Sequence, residues 1–173
     1  MTRSRVEPLA ASLLLLVGSC TILGLDVNSS EADELRAARL RWNRAHPPAY
    51  AYTLERLCFC GEEARGPVRI VVRGDSVESR TYTRTSRPVP LPWTDLFGSV
   101  DELFDAIERA VADADSVAGH YHAKLGYPVD VYVDHIANAI DDEVRYRVTE
   151  LTALPAVVSL RGAAAQGPRA PRP

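Results

Sequence analysis

Cys58 and Cys60 stand one residue apart in "RLCFCGEE", and the chain has only one other cysteine, Cys20. Such a pair can be a disulfide, two reduced thiols, or part of a metal or redox centre. In an extended strand, residues i and i+2 point the same way with Cα atoms about 6.5–7 Å apart. A disulfide prefers about 5.5–6 Å. A bridge between Cys58 and Cys60 therefore needs a bend at Phe59, which Gly61 makes available by ending the strand. So small a ring closes little chain entropy, and its effect is to pin a local conformation. A structural zinc site usually takes four ligands, and no second cysteine pair exists to complete one.

His120 and His122, in "HYH", would share one strand face and could hold one edge of a metal site. Joined to Cys58 and Cys60 they would form a Cys2His2 set only if the first and fourth strands were neighbours. The alternative is two solvent-facing histidines opposite Tyr121. Asp130, Asp134, Asp141, Asp142 and Glu143 cluster in sequence, and calcium takes six or more oxygens, but the spacing is not that of an EF-hand. The Asp-Asp-Glu segment equally suits a turn whose side chains accept backbone hydrogen bonds. No phosphate-binding glycine loop, Gly-x-Ser-x-Gly elbow or His-Glu-x-x-His is present.

The first twenty residues decide the compartment in which these groups would work. "MTRSR" is basic, Leu9 to Val17 is apolar and too short to span a bilayer as a helix, and Gly18 and Ser19 are small. Val17-Gly18-Ser19-Cys20 resembles a bacterial lipobox. By that resemblance residues 1–19 are a lipoprotein signal peptide, and Cys20 becomes the lipidated N-terminus, carrying diacylglycerol and a fatty acyl chain such as palmitate. Residues 20–29 would then be a tether. The chain is expected in the cell envelope, lipid-anchored on the periplasmic or extracellular side. Thr21 in place of an aspartate favours the outer membrane of a double-membraned cell. With Cys20 assigned to lipid, Cys58 and Cys60 have only each other in an oxidising compartment, and the expectation is a disulfide.

The remaining chain carries the elements that position these groups. With 173 residues, 46% of them apolar, there is material for one domain with a proper core. A net charge of −3 argues against nucleic acid as a partner. Ser30 and Asp33 suit the start of a helix running to His46, with Leu35, Ala38 and Trp42 on one face. The arginines at 36, 39, 41 and 44 lie mostly off that face, either solvated or against anionic lipid. His46-Pro47-Pro48 ends the helix. Tyr50 to Cys60 alternates as a strand. Val68, Ile70 and Val72 begin a hairpin that turns at Gly74-Asp75 and returns over Val77 to Thr85. The Arg-Gly-Asp at 73–75 falls in that turn and carries no adhesion reading here. Residues 86–94 hold three prolines and form a loop.

Ser99 and Glu102 form a capping box for a second helix, with Val100, Leu103, Phe104, Ile107, Ala110 and Val111 on one stripe. Val117–His122, a strand through Val129, Val131 and Val133, and a strand through Val144, Tyr146 and Val148 follow. The order is helix, three strands, helix, three strands. It predicts an α+β domain over residues 30–154, a mostly antiparallel sheet of about six strands with helices packed on one face. Residues 155–173, rich in Pro, Ala, Gly and Arg, are expected to be a disordered tail.

"YAYTLERLCFC", "VRIVVRGDSV", "SVDELFDAIERA", "LGYPVDVYVD" and "DDEVRYRV" occur in that order. Together they resemble a bacterial domain-of-unknown-function family common in lipoproteins, over about residues 42–151. The chain departs from that pattern once: His122 follows Tyr121 where an aspartate is expected. The resemblance implies no activity and no catalytic residues. The expectation is a non-enzymatic binding or accessory module of the envelope, needing no cofactor. Its partners would be the membrane, through its N-terminal lipid, and an envelope protein. The alternatives are a periplasmic metal-binding or thiol-redox protein, or an inhibitor that blocks an envelope enzyme with the proline-rich loop or a hairpin.

Overall fold

The computed structural model describes residues 27–155. The expected signal peptide and lipidation at Cys20, most of the expected tether and nearly all of the expected tail lie outside the described residues. The described chain runs α1 (Val27–Ala45), β1 (Ala49–Cys58), α2 (Glu62–Arg65), β2 (Val68–Arg73), β3 (Ser76–Tyr82), a 3-10 segment (Leu91–Leu96), α3 (Val100–Asp113), β4 (Ser116–Tyr121), β5 (Pro128–Asp134) and β6 (Val144–Ala153). All pairings are antiparallel, and the single six-stranded sheet has the order β3-β2-β1-β6-β5-β4. Each group of three strands is a meander, as expected, and the two meanders join through β1 and β6.

Alternation fixes which face is buried. On one face stand Tyr50, Tyr52 and Leu54, beside Val68, Ile70, Val72, Val144, Val148, Val131, Val133 and Val117, all buried. A slip of one residue would turn this whole set to solvent. α3 covers the face with Val100, Leu103, Phe104 and Ile107, and α1 adds Leu35, Ala38 and Trp42. The opposite face carries ion pairs. Arg145 and Arg147 both reach Asp130, and Arg147 also reaches Glu55 at 3.2 Å.

Both sheet edges are closed from within the chain. At the β4 edge, the Glu31 carboxylate of α1 accepts from the Gly119 N–H at 3.1 Å and the Tyr121 hydroxyl at 2.6 Å. At the β3 edge, the proline-rich segment lies alongside: Tyr82 N–H donates to Arg87 O and Val89 N–H to Arg80 O. An edge so occupied offers few free backbone groups to another chain.

Several boundaries differ from the sequence expectation. α1 begins at Val27, so Ser30 lies in its first turn and is not the cap. β3 ends at Tyr82, because Ser86, at φ 55°, returns its N–H to Tyr82 O in a turn that aligns Pro88 with Thr81. α2 has no sequence periodicity behind it, being a single turn between two strands. Arg39 is spent on an interhelical bridge to Asp105 and Glu108 of α3, at 2.7 and 2.8 Å, and packs over the Phe104 ring.

Candidate functional site

Cys58 closes β1 opposite Val144, and the backbone bends at Phe59 and Cys60. The two cysteine sulfurs lie at bonding distance, with Cα atoms 5.3 Å apart. That is shorter than the i to i+2 spacing of a straight strand, so the bend supplies the closure. It also turns the Phe59 ring outward, 80% exposed.

Directly after Cys60 the chain forms α2, and α2 makes one wall of a groove of about 600 Å3. The other walls are the end of β3 and the proline-rich segment. Tyr82, Pro67, Pro88 and Pro90 line it, together with Arg84 and Arg87 and the acidic Glu62 and Glu63 of α2. The Tyr82 hydroxyl donates to Glu63 O at 2.8 Å, which fixes the ring against α2. Phe97 meets the Tyr82 ring edge-on at 6.4 Å. Arg56 ties α2 back to the sheet by donating to Ala64 O and lying over the Tyr146 ring. Arg84 faces Glu62 at 3.6 Å, and both side chains are largely exposed, so this pair contributes little to stability.

The histidines do not join the cysteines. β6 and β5 stand between β1 and β4, and His120 sits at the far end of β4 opposite Asp130. His122 lies beyond the strand, where its Nδ1 accepts from Leu125 N–H at 3.1 Å and its ring stacks on Tyr127. The two imidazoles therefore do not share a strand face. His122 thus closes the turn after β4, a role that a carboxylate at this position could also fill by accepting the same N–H. Among the described residues no group of three or more His, Cys, Asp or Glu side chains is placed to hold a metal ion. Asp130 is engaged by Arg145 and Arg147, and Asp142 accepts from Ile136 N–H at 2.7 Å. Within the Asp-Asp-Glu segment, Asp142 thus accepts a backbone hydrogen bond of its own turn.

The strongest electrostatic perturbations lie in the core. Burial pushes the Tyr52 hydroxyl well above its ordinary range, and it donates to Gly98 O at 2.5 Å. Burial raises Tyr50 as well, while the bond from Val100 N–H to its oxygen opposes the shift. Burial, then the hydrogen bond to Glu31, raises Tyr121. These hydroxyls hold α3 and α1 to the sheet. Ser99 and Glu102 complete the α3 N-terminus as a reciprocal capping box. Glu31 was the residue that sequence patterning missed. It sits in a helix among Asp33 and Glu34, and only the β4 pairing shows that its carboxylate is buried.

No helix among the described residues is long and apolar enough to cross a membrane. No curated protein and no solved structure matches the chain. A family model does match, over residues 34–153, which takes in every strand, α3, the groove and α1 from Glu34 onward. The chain belongs to that family, DUF6174, a family of unknown function.

Proposed function

We propose that the chain is a lipid-anchored envelope protein whose domain is a non-enzymatic binding or accessory module. The observation that carries the binding role is the groove beside α2. Its walls are an aromatic ring and three prolines, rigid groups that lose little entropy on binding. Arg84 and Arg87 line it together with Glu62 and Glu63, so its charge is mixed and favours an extended segment of an envelope protein with charges of both signs flanking its apolar residues. The lipobox-like Val17–Cys20 supports the anchor.

Crosslinking in intact envelopes, followed by pull-down, tests the binding role. A specific partner should be captured, and an Arg84→Glu/Arg87→Glu chain should lose it. Capture of nothing, or equal capture by both chains, removes the groove reading. For the anchor, Cys20→Ser should move the protein from the membrane to the soluble fraction.

Thiol redox chemistry is the second reading, favoured by the sulfur–sulfur approach at Cys58 and Cys60. Thiol labelling before and after reduction decides it. Cysteines that stay unreactive after mild reduction would leave only a structural staple.

A further inference from the structure

Four features converge on one end of the sheet. Cys58, Val144, Val133 and Val117 form a continuous cross-strand row there. Beyond that row β1 ends in the Phe59 bend, and β5 and β6 are joined by residues 135–143. Ile136 and Ile140 in this loop are 61% and 86% exposed, beside Phe59 at 80%. Single exposed apolar residues are ordinary on a protein surface, but three on adjacent loops at one end are not.

The loop is held, not loose. Asp142 accepts from Ile136 N–H at 2.7 Å, Asp115 accepts from Ala137 N–H at 2.5 Å, and Ala139 N–H donates to Ile136 O. Two carboxylates thus fix a loop that keeps isoleucines in water.

The direction of α1 gives the fourth feature. Glu31 reaches Gly119 in the middle of β4, whereas Ala38 and Trp42 pack on Gly126 in the turn after β4. The N-terminus of α1 therefore points to the Ser116 end, the end that carries Phe59, Ile136 and Ile140. Val27 is seven residues from Cys20, a reach of at most about 25 Å.

We infer that this end of the sheet seats on the bilayer that holds the Cys20 lipid, with Phe59, Ile136 and Ile140 entering the headgroup region. The inference rests on the lipid-anchor reading. The acyl chains on Cys20 hold the chain to the bilayer but do not orient the domain, whereas apolar side chains entering the interface would fix its orientation. Asp134, Asp141 and Glu143 stand at the same end and would be repelled by anionic lipid, so the surface it fits is zwitterionic. The domain would then be held in one orientation, with the β4–β5 turn and the exit of β6 facing away from the membrane.

The test uses the full chain, produced with its leader and reconstituted into phosphatidylcholine vesicles whose acyl chains carry bromine. Tryptophan replaces one residue at a time: Phe59→Trp, Ile140→Trp and, in the far turn, Lys124→Trp. Mass spectrometry of Cys20 comes first. An unacylated Cys20 overturns the anchor reading and this inference with it. With acyl present, added fluorescence at positions 59 and 140 should be quenched at least about twofold more than at 124. Equal quenching at all three positions, or none at 59 and 140, overturns the seating alone and leaves that end to a protein partner.

Discussion

The two ends of the sheet are built on opposite terms. At the end where α1 finishes, Trp42, Tyr50 and Tyr127 pack edge to face, with ring centroids 5.2 and 6.3 Å from Trp42. Three of the aromatics there are also held by hydrogen bonds: Trp42 Nε1 donates to Asp101, Tyr50 accepts from Val100 N–H, and Tyr52 donates to Gly98 O. At the Cys58 end, polar groups are also well placed, yet what they hold is a set of apolar side chains in solvent. One end uses hydrogen bonds to bury aromatics, the other to display aliphatics. The first arrangement lowers the energy of the fold. The second does nothing for the isolated domain, which is why a surface outside the domain is the natural explanation for it.

That contrast is broken most directly by disrupting the aromatic end. Gly126 has φ 85°, and a Cβ there would run into the Ala38 carbonyl, Arg41 and the backbone of Trp42. Gly126→Ala should cost several kcal/mol, since it combines left-handed strain with a clash against helix backbone (about 1–3 kcal/mol for the strain alone). Trp42→Ala empties a fully buried site and should cost about 3–5 kcal/mol. Urea midpoints read both. A loss under about 1 kcal/mol from either would mean that the aromatic end is not where the stability resides.

Next in size is the Glu31 clasp. Glu31→Ala removes the shared acceptor of Gly119 N–H and Tyr121 Oη, and should cost about 2 kcal/mol. Amide exchange should then speed up along β4 more than along β2. Uniform acceleration would show that Glu31 serves the whole domain and not its edge.

The buried tyrosines predict a pH dependence of comparable size. Their folded-state pKa values lie above the ordinary one near 10, so the unfolded chain releases these protons first. The stabilisation is complete below about pH 10 and declines as pH rises beyond it, by about 1.4 kcal/mol per unit for a fully buried hydroxyl. Tyr52→Phe should flatten the decline between pH 10 and 11. An unchanged slope would place the titration elsewhere.

How much of this was legible in the sequence follows from the range of each interaction. Period-two alternation in "VRIVVR" and "VDVYVD", and the capping box at Ser99, are local patterns and give the elements and their covered faces directly. Two meanders also follow from short turns. What joins them, β1 to β6, is a contact between residues about ninety positions apart, and no local pattern encodes it. The same distance hid Glu31, whose burial depends on β4. It also decides between the two readings of His120 and His122: a pair joined to Cys58 and Cys60 needs β4 beside β1 and a strand continuing to His122, whereas β4 lies at the far edge and stops at Tyr121. The bend at Phe59 was legible because Gly61 and the cysteine spacing demand it. The groove was not, since α2 is too short for periodicity and the proline-rich segment shows only that it cannot be a central strand.

The smallest expected effects belong to the Cys58 end, and their smallness is the sharpest form of the comparison. Phe59→Ser and Ile140→Ser remove side chains already in water, so each should change stability by no more than about 0.5 kcal/mol. The Cys58→Ser/Cys60→Ser double variant opens a very short ring, so its entropic contribution should stay well below the about 3 kcal/mol of a fifteen-residue loop. Urea midpoints of the three chains, taken with and without reductant, check this. A loss above about 1 kcal/mol from Phe59→Ser would make that residue part of the core economy of the domain and collapse the distinction between the ends. If instead all three chains keep the parent midpoint, the residues at this end contribute nothing to folding, and whatever they do requires a second surface.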